Sequence, residues 1–479
     1  PPPSPRRTRH PRSCILSRGL GDVYKRQPQF GSPSYYDVFA DYTWDVSPNT
    51  TVSVNALYAD DRVELILESD PEELEEVGSN TRNTQFWVSM ENRWSDELSS
   101  RTVLSAVSFD NTRDGSLNDA EKIVATVSDD RTIRQFGFRQ DFAYTNSDTH
   151  HVQWGLQVKY AEADYVYANT ADYFGLPAMF IGQEGSTSLS VSAAPQGSSY
   201  ALYFSDRWKV SDRSIVEWGL RWDDQTYTED SSDAQLSPRL SYMRSLGDRT
   251  QLRLSWGRYH QSQEINELQV EDGIDRFWPA QRADHLIAGI HHSFDNKLSL
   301  RVEVFHKDIQ QVRPRFENLF DPLALIPEVQ PDRVRLDPSS AQSQGLEITL
   351  DRSDGPLTWW MSYVLSEATD RIGDQDQLRS WDQRQAVQGG FSLGNEKLDV
   401  SLAGSVHSGW PLTELSLLED GVDEAGELVY VAVPGARNAG RHTTCARLDF
   451  RLSRTWTLQR GSRMALFEVS HLTNRSNAC

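Results

Sequence analysis

The residues best placed to do chemistry lie in DNTRDGSLNDAE (110–121). Asp110, Thr112, Asp114, the Ser116 carbonyl and Glu121 occupy positions 1, 3, 5, 7 and 12 of a calcium loop, with Gly115 at the tight turn and Leu117 at the apolar position. Hard oxygen donors at that spacing suit calcium, although Thr112 stands where Asp or Asn is usual. An ordinary Asp/Asn/Gly-rich connection fits the same letters. Calcium in this loop is the only cofactor the sequence suggests. A second acidic run, ELILESDPEELEE (64–76), offers Asp70 as an N-cap, Pro71 as a first helical position and Glu73 in the first turn of a short helix. His150–His151 and His291–His292 are adjacent in extended sequence, so each pair points to opposite faces and neither can chelate one metal. Trp278 in IDRFWPAQ and Trp381 in RSWDQRQ are aromatic platforms in polar connections, suited to stacking on a sugar or a chelate, or to anchoring their loops. No HExxH, GxSxG, GxxxxGK or GxGxxG motif occurs, so no catalytic site is indicated.

These residues must be positioned by strands. In VQWGLQVKY, Val152, Trp154, Leu156, Val158 and Tyr160 share one face, and Gln153, Gly155, Gln157 and Lys159 share the other. SIVEWGLRW (214–222), KLSLRVEVF (297–305) and ARLDFRLSR (446–454) alternate in the same way. Strict period two over this length means strands with one apolar and one polar face. About eighteen such segments run from residue 35 to 473. Short connections rich in Gly, Asn, Asp and Ser, such as SPNT (47–50), SDR (211–213), GDR (247–249), DNK (295–297) and GNE (394–396), alternate with long ones. The long ones cover roughly 67–81, 111–130, 169–197, 227–236, 261–281, 310–341, 369–382 and 409–444. Trp44, Trp94, Tyr144, Trp208, Phe294 and Trp456 each fall just before a short turn. A ring of aromatics at one end, short turns on that side and long loops on the other describe an all-β, antiparallel transmembrane β-barrel.

Bulk properties agree with that reading. The 479 residues carry 69 acidic and 48 basic side chains, a formal net charge of -21. Nucleic-acid binding needs a basic footprint and is excluded as a partner class. Mean hydropathy is negative, and no stretch approaches the apolar length of a membrane helix. A barrel escapes that test because its strands alternate and its lumen is polar. Cys14, Cys445 and Cys479 are far apart and suggest neither a disulfide framework nor a zinc site.

Several segments together resemble the C-terminal barrel of TonB-dependent outer-membrane receptors. ALYFSDRWKVSDRSIVEWGLRWD (201–223) is similar to that family's hairpin into a Gly-Leu-Arg strand. LSPRLSYMRSLGDRTQLRLSWGRYHQSQ (236–263) resembles its Pro-Arg strand, turn and Trp-Gly-Arg strand. RADHLIAGIHHSFDNKLSLRVEVFHKDI (282–309), SQGLEITLDR (343–352), SYVLSEATD (362–370), LDFRLSRTW (448–456) and FEVSHLTNRSN (467–477) fit the hairpins that follow, with His471 where Asn is common. The resemblance spans 34–477. It implies a receptor in the outer membrane of a Gram-negative bacterium, embedded in outer-membrane lipid. It also implies uptake of a scarce small-molecule nutrient (a siderophore, carbohydrate or similar), powered through the inner-membrane TonB energy-coupling complex. A passive porin-like or structural barrel is the alternative. The family implies 22 strands and a plug. Residues 1–33 therefore read as a non-native or disordered leader, and 34–479 as an incomplete barrel of about 18 strands. Such a fragment is expected to show either a gap or a strained closure between the strands near 35–46 and 462–473.

Overall fold

A chain that alternates apolar and polar residues satisfies its backbone only by pairing strand with strand. The computed structural model shows this, describing residues 15–17 and 31–473 apart from 71–72, 120–121, 147, 175–184, 229–234, 296, 321–323, 396 and 423–427. Among the described residues the regular elements are strands and two 3-10 turns, with no α-helix. Twenty-one strands join one antiparallel sheet.

Eighteen of them are the staves of the wall. In chain order they are β1 (Ser34–Ser47), β2 (Thr50–Asp70), β3 (Glu73–Arg93), β4 (Leu98–Asp119), β5 (Ile123–Asn146) and β6 (His150–Tyr173). Then come β7 (Gln196–Ser211), β8 (Ser214–Gln225), β9 (Gln235–Ser245), β10 (Thr250–Gln261), β11 (Gln281–Ser293) and β12 (Leu298–Gln310). The last six are β13 (Ser340–Arg352), β14 (Leu357–Ile372), β15 (Gln385–Gly394), β16 (Leu398–His407), β17 (Cys445–Leu458) and β18 (Gly461–Val469). Each pairs with its sequence neighbours, as in a meander. Among the described residues no ladder joins β1 to β18, so the wall is open at the expected place.

Register fixes which side chains share a face. Phe142 and Trp154 stack at 5.2 Å, Phe204 and Trp218 meet at 5.3 Å, and Trp44, Trp94, Trp208, Phe294 and Trp456 are all exposed beside the short turns. Leu300 and Phe450 lie on this same apolar face, and Lys159, Arg221, Glu303 and Arg451 on the opposite polar one, as the alternation requires. An apolar outer face ending in an aromatic belt, around a polar lumen, is the transmembrane arrangement.

Three expectations are corrected. The segments expected as loops at 67–81 and 111–130 are mostly strand, because β2–β3 and β4–β5 continue to Asp70, Glu73, Asp119 and Ile123. The acidic helix is therefore not formed: Leu65 pairs with Val77 and Leu67 with Glu75 in a ladder that reaches Asp70. A short isolated helix gains little, whereas a ladder adds a bond pattern at every residue. Cys445 is buried and disulfide-bonded, against the expectation of no disulfide.

Candidate functional site

The staves β2–β6 rise beyond the others, and the lumen face of β3–β6 changes character with height. Low on the wall it is polar: Arg139 pairs with Asp141 at 2.8 Å, and the Tyr203 hydroxyl donates to the same carboxylate. High on the wall it is apolar. Val77, Leu117, Ile123, Ala125, Val127, Ile133, Ala163, Tyr165 and Tyr173 are buried there against Ile265, Leu268, Val270, Phe277, Ile326 and Val329. The latter belong to two long connections, 262–280 and 311–339, which fold into the mouth instead of extending outward. The Tyr165 hydroxyl donates to the Ile265 carbonyl, and that of Tyr173 to the Val329 carbonyl, both at 2.8 Å.

Buried ion pairs fasten the same loops. Arg131 bridges Asp129 at 2.7 Å and Glu271 at 2.8 Å, and Arg113 pairs with Glu328. Arg333 holds Asp272 at 2.6 Å. A small hairpin, Arg315–Asn318 against Arg333–Leu336, forms a hub within the longer loop. Glu317 accepts from Arg315 and Arg437, each at 2.6 Å, and from Ser380 at 2.7 Å. The fully buried Asp370 is held by Arg315 and by Arg379 at 2.9 Å. Burial pushes Glu271 and Asp272 above the usual carboxylate range, and their arginine partners only partly offset it. Burial acts the same way on Glu317, but hydrogen bonds from Ser380, Arg315 and Arg437 outweigh it and lower its pKa.

The two tryptophans expected as ligand platforms both attach to this hub. Arg315 lies 5.6 Å from the Trp381 ring centroid, and Arg335 lies 5.8 Å from that of Trp278, which also carries Arg276 at 5.1 Å. Arg315 pairs with Leu336 and Arg335 with Phe316, so the two arginines leave opposite faces of the ribbon. Trp278 and Trp381 therefore brace the hub from opposite sides and do not form one aromatic cleft. Sequence reasoning missed the hub itself. Its signal was the arginine-rich RPRFEN and RVRLD within the 310–341 connection.

Asp110, Thr112, Asp114 and Ser116 lie in β4, on the outer face of the wall. Along a strand, Asp110 and Asp114 are separated by about 13 Å, too far to share one ion. Each instead accepts from the neighbouring strand, Asp110 from Thr132 and Asp114 from Ser128. Glu121 lies outside the described residues. Gly115, expected at a tight turn, has another use. A Cβ there would come within 2.8 Å of the Ile326 methyl, so glycine makes room for the buried loop residue. Among the described residues, no cluster of three or more His, Cys, Asp or Glu is arranged to hold a metal. His150 bonds Asp206 and His151 bonds Thr145, on opposite faces as expected.

Residues 18–461 match the family model described as TonB dependent receptor-like, beta-barrel. No curated protein matches the sequence. Among solved structures, the chain resembles the copper transporter OprC (TM-score 0.64, 11% identity, 93% of this chain and 67% of that one). It also resembles the outer membrane transporter YddB from Escherichia coli (0.59, 11%, 94% and 66%). FpvA of P. aeruginosa, solved bound to heterologous pyoverdines, is similar too (0.53, 11%, 94% and 67%). The chain thus spans about two thirds of each of these proteins. Identities this low establish the shared fold.

Proposed function

Because this chain belongs to the TonB-dependent receptor family, of the Gram-negative outer membrane, we propose that it is the barrel of a receptor for energy-dependent uptake of a scarce nutrient. The observation that carries the proposal is the mouth. The connections 262–280 and 311–339 fold inward, bury apolar side chains against the lumen face of β3–β6, and are fastened there by Arg113, Arg131 and Arg333. An open diffusion pore would leave those groups in water. A mouth filled by packed loops suits a gate that binds its ligand and releases it when work is done on the barrel.

In this reading the chain carries no catalytic step. The energy comes from the inner-membrane TonB complex, and the aromatic belt seats the wall in lipid. Siderophores, carbohydrates and similar small molecules are the substrate class. Trp278 and Trp381 contribute by holding the hub in place. Deleting the gene tests the proposal. Cells should lose saturable uptake of one limiting nutrient, and a protonophore should abolish the same uptake in the parent. Uptake that is linear in concentration and indifferent to the protonophore would identify a passive channel.

A further inference from the structure

Basic side chains are outnumbered by acidic ones, 48 to 69, and most of the described ones are paired. One hydrogen-bonded row across the lumen wall departs from that pattern. Register places Arg239 (β9), Gly257 (β10), His285 (β11), Lys307 (β12), Ser343 (β13) and Ala368 (β14) side by side. Its ionisable members are Arg239, His285 and Lys307, and none is acidic. The next row toward the short turns, Ser241, Ser255, Ile287, Phe305, Gly345 and Ser366, carries no charge. Along that row Glu217 faces Ser241 from β8, with Arg207 as its partner on the other side, and on β9–β14 carboxylates return one row further down, at Glu303 and Glu347. Asp284 and Asp308 occupy the opposite face. Above the row, Asp370 is consumed by Arg315 and Arg379.

The three side chains are also held ready. The Tyr259 ring fills the space over Gly257, with the Arg239 guanidinium 4.5 Å from its centroid and the His285 ring 4.6 Å away. His285 Nε2 is buried and makes no hydrogen bond. Lys307 is partly buried, among the described residues no carboxylate sits at ion-pair distance from it or from Arg239, and Arg379 adds to the positive field around it. An ammonium and a guanidinium in a confined lumen, with an idle imidazole nitrogen between them, lack the counter-charge that every hub arginine has.

We infer that Arg239, His285 and Lys307 form a binding site for an oxyanionic ligand, one bearing carboxylate or phosphate groups, on the lumen wall beneath the folded loops. The inference rests on the uptake reading for the claim that this ligand is cargo. Binding itself does not depend on it. Arg239 and Lys307 supply the charge, and His285 Nε2 supplies the directional contact.

Calorimetric titration of the full chain in detergent micelles tests this, with citrate and inorganic phosphate as probes and maltose as the neutral control. Saturable heat is expected from at least one anion and none from maltose. Lys307→Gln and Arg239→Gln should each weaken the anion about tenfold, the usual loss for a hydrogen bond to a charged group. Raising the salt to about 0.5 M should weaken wild-type binding as well. Arg253→Gln, within the Glu303 row, should change nothing. Heat-dependent gel migration reports whether each variant is folded, and if Lys307→Gln is not, Arg239→Gln decides alone. No heat from either anion, equal binding of maltose, or affinity untouched by the substitutions would each overturn the site. Cells that take up a neutral nutrient through a receptor without anion binding would remove this site and leave the uptake reading intact. A deletion strain with no uptake defect would remove the uptake reading and leave the calorimetry standing.

Discussion

Asp370 is one carboxylate serving two loops. It is fully buried between Arg315 of the 311–339 connection and Arg379 of the 373–384 connection. Replacing it with Asn keeps the shape but strands two guanidiniums, a loss of roughly 3–5 kcal/mol for a broken buried pair. Asp370→Asn should therefore release both loops, seen as faster hydrogen exchange across 315–336 and 379–384 with the wall unchanged; protection equal to wild type would deny the hub its role. Acid should act on these carboxylates in opposite directions. Glu317 has a lowered pKa, so its stabilisation is present above its unfolded value and lost as pH falls through the still lower folded one. Glu271 and Asp272 have raised pKa values, so folding favours their protonated forms and their contribution is lost as pH rises through those values. Exchange measured between pH 7 and pH 3 should show the 315–318 hairpin loosening in acid, and Glu317→Gln should flatten that dependence. At this scale the sequence was only partly legible. Trp278 and Trp381 were visible as loop aromatics, but the hub arginines they brace, Arg335 and Arg315, lie 57 and 66 residues away in sequence. Gly115 was read through a calcium motif, although its real constraint is a methyl group on Ile326.

Strands announce themselves because one period governs all eighteen staves, and each short turn carries the residues a hairpin needs. The first two long connections were misread because charge density was taken for solvation. VELILE (63–68) and EEVGSN (75–80) do alternate, but their register becomes visible only once β2 and β3 are paired. Likewise Ile123, Ala125 and Val127 form one apolar edge of β5, whose burial depends on Ile326 and Val329, some 200 residues later. Local pattern reports a strand; it does not report which distant loop will cover it. The outer-face assignment can be tested optically. Trp208 and Trp218 face outward, whereas Trp278 and Trp381 belong to loops. In vesicles with brominated acyl chains, Phe substitution at Trp218 or Trp208 should remove much of the quenchable emission, and substitution at Trp278 or Trp381 should remove little. Equal effects at all four positions would mean the faces are wrongly assigned.

The wall is not of even height. β5 and β6 have 24 residues each, whereas β8 and β10 have 12. At about 3.3 Å per residue and a tilt near 40°, the first pair rises roughly 60 Å and the second roughly 30 Å. About half of β5–β6 thus stands clear of the bilayer as a rigid hairpin, apolar inward and polar outward. Cysteine scanning on intact cells should reproduce that alternation. Thr126→Cys and Ser128→Cys should react with a bulky maleimide, and Ala125→Cys and Val127→Cys should not, because the latter two lie under the folded loops. Uniform labelling would mean the loops do not cover the inner face. A parapet on one side gives the molecule a front and a back. A particle drifting along the cell surface meets the raised flank as an obstacle and the low flank as a threshold. Arrivals at the mouth are then weighted by direction, and the orientation of each copy among its crowded neighbours decides how often it is visited.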